Sequence, residues 1–222
     1  MKILYNKFDK KRIADLPRVL FEGRIFVIQT EAEADKAVDY LAAAPLLGFD
    51  TETRPSFKKG MMNKVSLLQI STEDTCFLFR LTHMGIPSSV VALLQDERVP
   101  KVGLSLHDDF VSLHRRTEFK PGGFLELQEY VKEFGIADLS LQKIYANIFG
   151  QKIAKGQRLT NWDADVLTEG QKLYAATDAW ACIRIYRELE ELRRTGAYEL
   201  LTVPELPTET NDIEQVEKQN HI

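Results

Sequence analysis

Apolar residues follow two different rhythms along this chain, and the change from one to the other is what most constrains its fold. In the first half, GRIFVIQT, rich in β-branched and aromatic residues, and the short runs LLGFDTE, KVSLLQIST and TCFLFRL read as strands. After Pro121-Gly122-Gly123 the apolar residues recur at helical spacing through EYVKEFG, LSLQKIYANIFG and the long segment from Thr168 to Gly196. Strands early and helices late predict one α/β domain, a central mixed β-sheet flanked by α-helices.

Local signals sharpen that outline. Thr30 and Glu33 form a capping-box pattern ahead of the helix EAEADKAVDYLAAA, and Thr168 with Gln171 repeats it ahead of the last helix, which Gly196 closes. Pro45 ends the first helix. KVSLLQIST and TCFLFRL, separated by a polar Glu-Asp turn, read as an antiparallel pair. Helix SSVVALLQ, strand VPKVGLSL and helix DFVSLHRR follow. Residues 1–22 read as an N-terminal arm, 23–200 as the folded domain and 201–222 as an acidic, disordered tail.

The formal net charge of -4 looks unsuited to holding a polyanion. Its distribution answers this: from Pro204 onward Glu205, Glu209, Asp212, Glu214 and Glu217 stand against Lys218 alone, which accounts for the excess and leaves the body near neutral. Lys58, Lys59, Lys64, Lys152, Lys155 and Arg158 are candidate phosphate contacts, so charge permits a nucleic-acid partner without demanding one. Cys76 and Cys182 both sit in apolar runs and read as buried free thiols. No apolar stretch approaches the ~20 residues of a membrane span, and the N-terminus lacks a signal-peptide core. A cytoplasmic enzyme with no membrane partner is the expectation.

The chemistry is carried by three separated acidic clusters. Asp50 and Glu52 are two apart on a strand, so both carboxylates project from one face while Phe49 and Thr51 point the other way. Such a pair repels unless protonated or bridged by a cation. Asp108 and Asp109 stand where a strand meets a helix, and either could cap that helix or serve a site. Tyr174 and Asp178, four apart on the last helix, share a face. Carboxylates in this number, with no His or Cys cluster, suit hard octahedral cations such as Mg²⁺ or Mn²⁺ and phosphoryl chemistry. His107 adjoins the second cluster, and its expected strand position predicts a structural imidazole rather than a ligand.

Together the clusters resemble the DEDD superfamily of 3′-5′ exonucleases, in the tyrosine-bearing group that contains ribonuclease D and the Werner-type exonuclease domain. The first motif stands here as FDTETRPSF followed by NKVSLLQIST, the second as KVGLSLHDDFVSL, and the third as NWDADVLTEGQKLYAATDAWACIRIYREL. The register of the second selects Asp109 over Asp108. The likeness runs from about Gly23 to about Arg194 and is nearest to Werner-type domains.

The resemblance implies a ribonuclease H-like fold, with Asp50, Glu52, Asp109 and Asp178 holding two divalent cations, Mg²⁺ or Mn²⁺. Tyr174 would orient the attacking water, since a phenol with pKa near ~10 is a poor base at neutral pH. The implied reaction is hydrolysis of phosphodiester bonds at single-stranded or recessed 3′ ends, releasing 5′-nucleoside monophosphates, with DNA favoured over RNA. Thr51, Lys152, Lys155 and Arg158 are candidate substrate contacts. Phe57 and Met61 could meet terminal bases, and Trp162 is expected to anchor the loop before the last helix. Alternative readings are a phosphoesterase acting on short oligonucleotides and a non-catalytic nucleic-acid-binding module.

Overall fold

The short apolar runs assemble side by side in one mixed sheet. In the computed structural model, which describes residues 1–203 except 57, 59 and 61, the chain runs β1 (Lys2–Tyr5), β2 (Arg24–Ile28), α1 (Glu31–Ala42), β3 (Leu47–Thr53), β4 (Val65–Ser71) and β5 (Thr75–Arg80). It continues through α2 (Leu81–Met84), α3 (Ser88–Gln95), β6 (Lys101–Gly103), α4 (Leu106–His114), β7 (Phe124–Glu126), α5 (Leu127–Tyr130), α6 (Leu141–Phe149), α7 (Glu169–Thr195) and β8 (Tyr198–Leu201). Strand order in the main sheet is β2-β5-β4-β3-β6-β7. β4 runs antiparallel to both its neighbours, β3 and β5, and the outer pairings are parallel. β4 is buried along its whole length, its polar Ser66, Gln69 and Ser71 included, which is why its sequence shows no regular apolar/polar alternation.

Helices cover the two faces of this sheet. Beneath one face, α1 and α3 pack with Leu47, Phe49, Leu68, Ile70, Phe77 and Phe79 in one core. Beneath the other, α7 lies across β3, β4 and β5 with Leu67, Cys76 and Leu78. Both expected capping boxes are present, and Gly196 closes α7 in left-handed backbone at φ 63. Cys76 and Cys182 are buried and free.

Other expectations need correction. The strand expected over VPKVGLSL stops at Gly103, because Ser105 takes left-handed backbone and α4 begins at Leu106. His107 is therefore an exposed residue of a helix, not a strand imidazole. β7 follows Gly123 where only helix was expected, a three-residue strand held by its pairing with β6. EYVKEFG divides between α5 and a 3-10 turn at Val131–Phe134. β1 pairs in parallel with β8 as a separate two-stranded sheet, and Leu4 is wholly buried in the core beside α7. Phe57, Lys59, Met61 and the acidic segment from Pro204 lie outside the described residues.

Candidate active site

Three elements bring acids to one place. β3 presents Asp50 and Glu52 on the face turned to α7, and α7 presents Asp178 to them. One carboxylate oxygen from each of the three lies within 4.8 Å of the others. This approach depends on Gly48: a Cβ there would stand 2.0 Å from the carbonyl oxygen of Ala179. Ala175, Ala176, Ala179 and Ala181 are all wholly buried, so small residues line the contact and let the helix backbone sit close to the strand. Gly48 was not singled out from sequence, although its place two residues before Asp50 was the available signal.

Asp109 reaches the site by another route. It lies in the first turn of α4, on the opposite face of β3, and its carboxylate accepts a hydrogen bond from the Thr51 hydroxyl. It stands outside the three-acid cluster, and its pKa is raised first by burial and then by the charge of Asp50. The N-cap residue of α4 is Ser105, whose side chain makes no cap hydrogen bond, and capping does not account for Asp109. Asp108 is exposed.

Burial governs the protonation of these groups. Removal from water, followed by the neighbouring charge of Asp178, raises the pKa of Asp50 well above the usual carboxylate range. Glu52 is pushed up to about 10 by burial and then by Asp50, Asp178 and Asp109, with Arg158 opposing. Burial carries Asp178 to about 7, against the hydrogen bond from Tyr174 and the charge of Lys155. The Tyr174 phenol moves further upward, mainly by burial and then by Asp178 and Glu52, so it stays protonated.

These residues line a cavity of about 380 Å³. Asp50, Thr51, Glu52, Tyr174 and Asp178 form one wall, and Leu139, Ser140, Lys155 and Arg158 contribute to the remainder. Lys152 does not line it: its ammonium donates to the Ala14 carbonyl, and its backbone amide to that of Pro17. Lys58 and Lys64 are exposed and also outside the lining. Trp162 is wholly buried with its ring 6.1 Å from that of Tyr174, backing the tyrosine. Buried Arg80 donates to the carbonyls of Ala164 and Asp165, fixing the same loop to β5. Neither Arg80 nor Glu126, which binds the start of α4, announced these contacts in the sequence. A larger hollow of about 710 Å³ near the end of α7 has its acids Glu190 and Glu191 paired with Arg193 and Arg194, and gathers no carboxylate cluster.

The residues fit a divalent cation. The donor set is all carboxylate oxygen, the choice of hard cations. Oδ1 of Asp178 is buried without a protein partner. A buried carboxylate oxygen left in that condition is costly, and a bound cation removes the cost along with the mutual repulsion. Gln69, opposite Asp50 in the β3–β4 register, is also wholly buried with both amide atoms unpartnered.

A family model described as 3′-5′ exonuclease matches residues 25–193. The chain is 33% identical over 162 residues to the bifunctional 3′-5′ exonuclease/ATP-dependent helicase WRN of Mus musculus, covering 70% of this chain and 12% of that protein. It is 29% identical over 209 residues to a 3′-5′ exonuclease of Arabidopsis thaliana, covering 85% and 72% respectively. Among solved structures, the Aedes aegypti Nibbler EXO domain aligns with a TM-score of 0.70 at 20% identity, over 78% of this chain and 90% of that one. Escherichia coli RNase D aligns with a TM-score of 0.67 at 21% identity, over 78% and 46%. The fold is therefore the ribonuclease H-like α/β fold of RNase D-like exonuclease domains. The matched span begins in β2 and ends near the close of α7, enclosing every acid of the cavity, and the chain belongs to the DEDDy-type 3′-5′ exonuclease family.

Proposed function

We propose that this protein hydrolyses nucleic acid from its 3′ end, one 5′-nucleoside monophosphate at a time, in a reaction that requires two divalent cations, Mg²⁺ or Mn²⁺. The observation that carries this reading is the cluster of Asp50, Glu52 and Asp178, three acids gathered within 4.8 Å and largely shielded from water. Cations held there, with Asp109 completing the ligand set, would acidify a water and neutralise charge on the phosphodiester as it is cleaved.

The remaining roles follow from the chain's own groups. Tyr174, one helical turn before Asp178 and lining the same cavity, has a phenol that keeps its proton, so it orients the attacking water and does not deprotonate it. Thr51 holds the Asp109 carboxylate by its hydroxyl. Lys155 and Arg158 line the cavity with positive charge suited to the phosphates behind the 3′ end. Lys152, already committed to the Ala14 carbonyl, contributes to the fold of that segment and not to the cavity.

DNA with single-stranded or recessed 3′ ends is the favoured substrate, on the strength of the likeness to the mouse exonuclease/helicase. A second reading, RNA, is supported by the fold shared with Trypanosoma brucei RNase D in complex with RNA U12, at a TM-score of 0.67. The test uses 3′-labelled and 5′-labelled DNA and matched RNA, with Mg²⁺, Mn²⁺ or a chelator. The proposal predicts a ladder shortening from the 3′ end, abolished by chelation and faster on DNA. Faster shortening of RNA would reverse the substrate assignment. Turnover confined to dinucleotides and other very short oligonucleotides, or none on any substrate, would overturn the polymer exonuclease.

A further inference from the structure

We propose that Glu126 is a positioning residue: by gripping the start of α4 it sets the angle of that helix and delivers Asp109 to the acidic cluster. α4 begins without help from its own sequence. Ser105, at the N-cap position, holds left-handed backbone at φ 63 and its side chain makes no cap hydrogen bond. Left-handed backbone is unfavourable for a residue with a Cβ and persists where its surroundings hold it.

Those surroundings come from the end of β7. The backbone N–H of Ser105 donates to Oε1 of Glu126 at 3.0 Å, and that of Leu106 to Oε2 at 2.7 Å. One carboxylate therefore takes the two leading amides of the helix, where negative charge is also favoured by the helix dipole. Oε1 additionally accepts from the backbone of Gln128 at 2.9 Å. The Gln128 side chain then donates to the Ser105 hydroxyl and to the Leu139 carbonyl, both at 2.8 Å. Ser105 and Leu139 line the acidic cavity, so this bracket joins its rim to the root of α4.

Asp109 sits three residues beyond Leu106, about 4–5 Å along the axis at the usual rise per residue. Phe110, next to it, is wedged among Phe49, Phe119 and Phe124, with ring centroids at 6.1, 6.3 and 4.8 Å. The aromatic wedge holds the helix against the sheet, and Glu126 fixes its direction. Freed from Glu126, α4 would pivot on the wedge and withdraw Asp109 from Thr51 and the cluster. This assignment rests on the cation-dependent reading of the site given above.

The test compares wild type with Glu126→Ala, Glu126→Gln, Glu126→Asp and Asp50→Ala. It measures kcat and KM on a recessed-end DNA across a Mn²⁺ series, together with the Mn²⁺-induced rise in Tm without substrate. Glu126→Ala should lose about 10- to 100-fold in kcat, the usual cost of removing a group that orients a metal ligand. KM for DNA should change little, half-saturation should need more Mn²⁺, and the Mn²⁺-induced rise in Tm should shrink. Glu126→Gln, which keeps one acceptor oxygen but turns an NH2 toward the other amide, should recover only part of the loss. Glu126→Asp, shorter by one carbon, should show the same signature as alanine and serves if the alanine variant fails to fold. Wild-type kcat and Mn²⁺ dependence in Glu126→Ala or Glu126→Asp, or a defect confined to KM, would overturn the proposal while an inactive Asp50→Ala leaves the wider reading standing. An active Asp50→Ala would overturn that reading, and this proposal with it.

Discussion

On one face of β3 stand Asp50 and Glu52; on the other stand Leu47 and Phe49, in a core of aliphatic and aromatic side chains. The same seven-residue strand thus serves two environments, separated only by the alternation of the pleat. The Phe49 side gains from burial, since its ring meets Phe124 edge to face and Phe110 at a tilt. The Asp50 side loses from burial, since its carboxyls are held protonated or in mutual repulsion unless a cation joins them. The apolar face supplies the stability that lets the acidic face exist, and α4 links them: Phe110 packs on one side while Asp109 serves the other.

Deleting one member of each face separates their roles. Asp50→Ala should reduce exonuclease turnover by about 10³-fold or more, while the cation-free Tm holds or rises because repulsion is relieved. Phe49→Ala should weigh mainly on stability, costing about 3–5 kcal/mol in urea unfolding, with turnover of the folded fraction falling far less than in Asp50→Ala. Turnover by Asp50→Ala near wild type, or an unstable Asp50→Ala beside a stable but inactive Phe49→Ala, would invert the assignment of the faces.

Smaller changes probe how the acidic face is assembled. Gly48→Ala forces a Cβ against the Ala179 carbonyl and should cost about 1–3 kcal/mol, with turnover falling as α7 is displaced from β3. Unchanged stability and turnover would show that the close approach is not required. Tyr174→Phe should slow cleavage by about 10- to 100-fold while the Mn²⁺-induced rise in Tm is kept. A variant indistinguishable from wild type would reduce Tyr174 to packing against Trp162.

The smallest effect is on the pH dependence of stability. Asp178 and Glu52 have folded-state pKa values raised to about 7 and about 10, above their ordinary values of 3.8 and 4.5. An acid that binds its proton more tightly when folded favours the folded state at low pH, and that advantage is lost as pH climbs from the unfolded toward the folded value. Cation-free protein should therefore lose Tm between pH 5 and pH 8 from these groups, and Mn²⁺ should restore more at pH 8 than at pH 5. A Tm that rises over this range in wild type but not in Asp178→Ala would contradict the sign.

Much of this was legible in the sequence because it rests on local periodicity. Asp50 with Glu52 and Tyr174 with Asp178 are separated by the repeat of their own element, so each pair's common face could be read directly. The antiparallel β4–β5 pair and both capping boxes were legible for the same reason. What escaped depends on partners distant in the chain. Three-residue β7 is a strand because β6 pairs with it, and β1 and β8 find each other across almost the whole described chain. His107 was misplaced because the left-handed turn at Ser105 is held by Glu126, about twenty residues later in sequence. Lys152 looked like a phosphate contact until its ammonium was seen on the Ala14 carbonyl.

Whether Asp50, Glu52 and Asp178 hold divalent cations is decided by direct titration. Free Mn²⁺ would be followed by electron paramagnetic resonance as wild type or Asp178→Ala is added, without nucleic acid. Wild type should bind saturably, more tightly as pH rises from 6 to 8, with binding lost or greatly weakened in Asp178→Ala. Equal binding by both proteins, or none by wild type at pH 8, would contradict cation binding by these three acids.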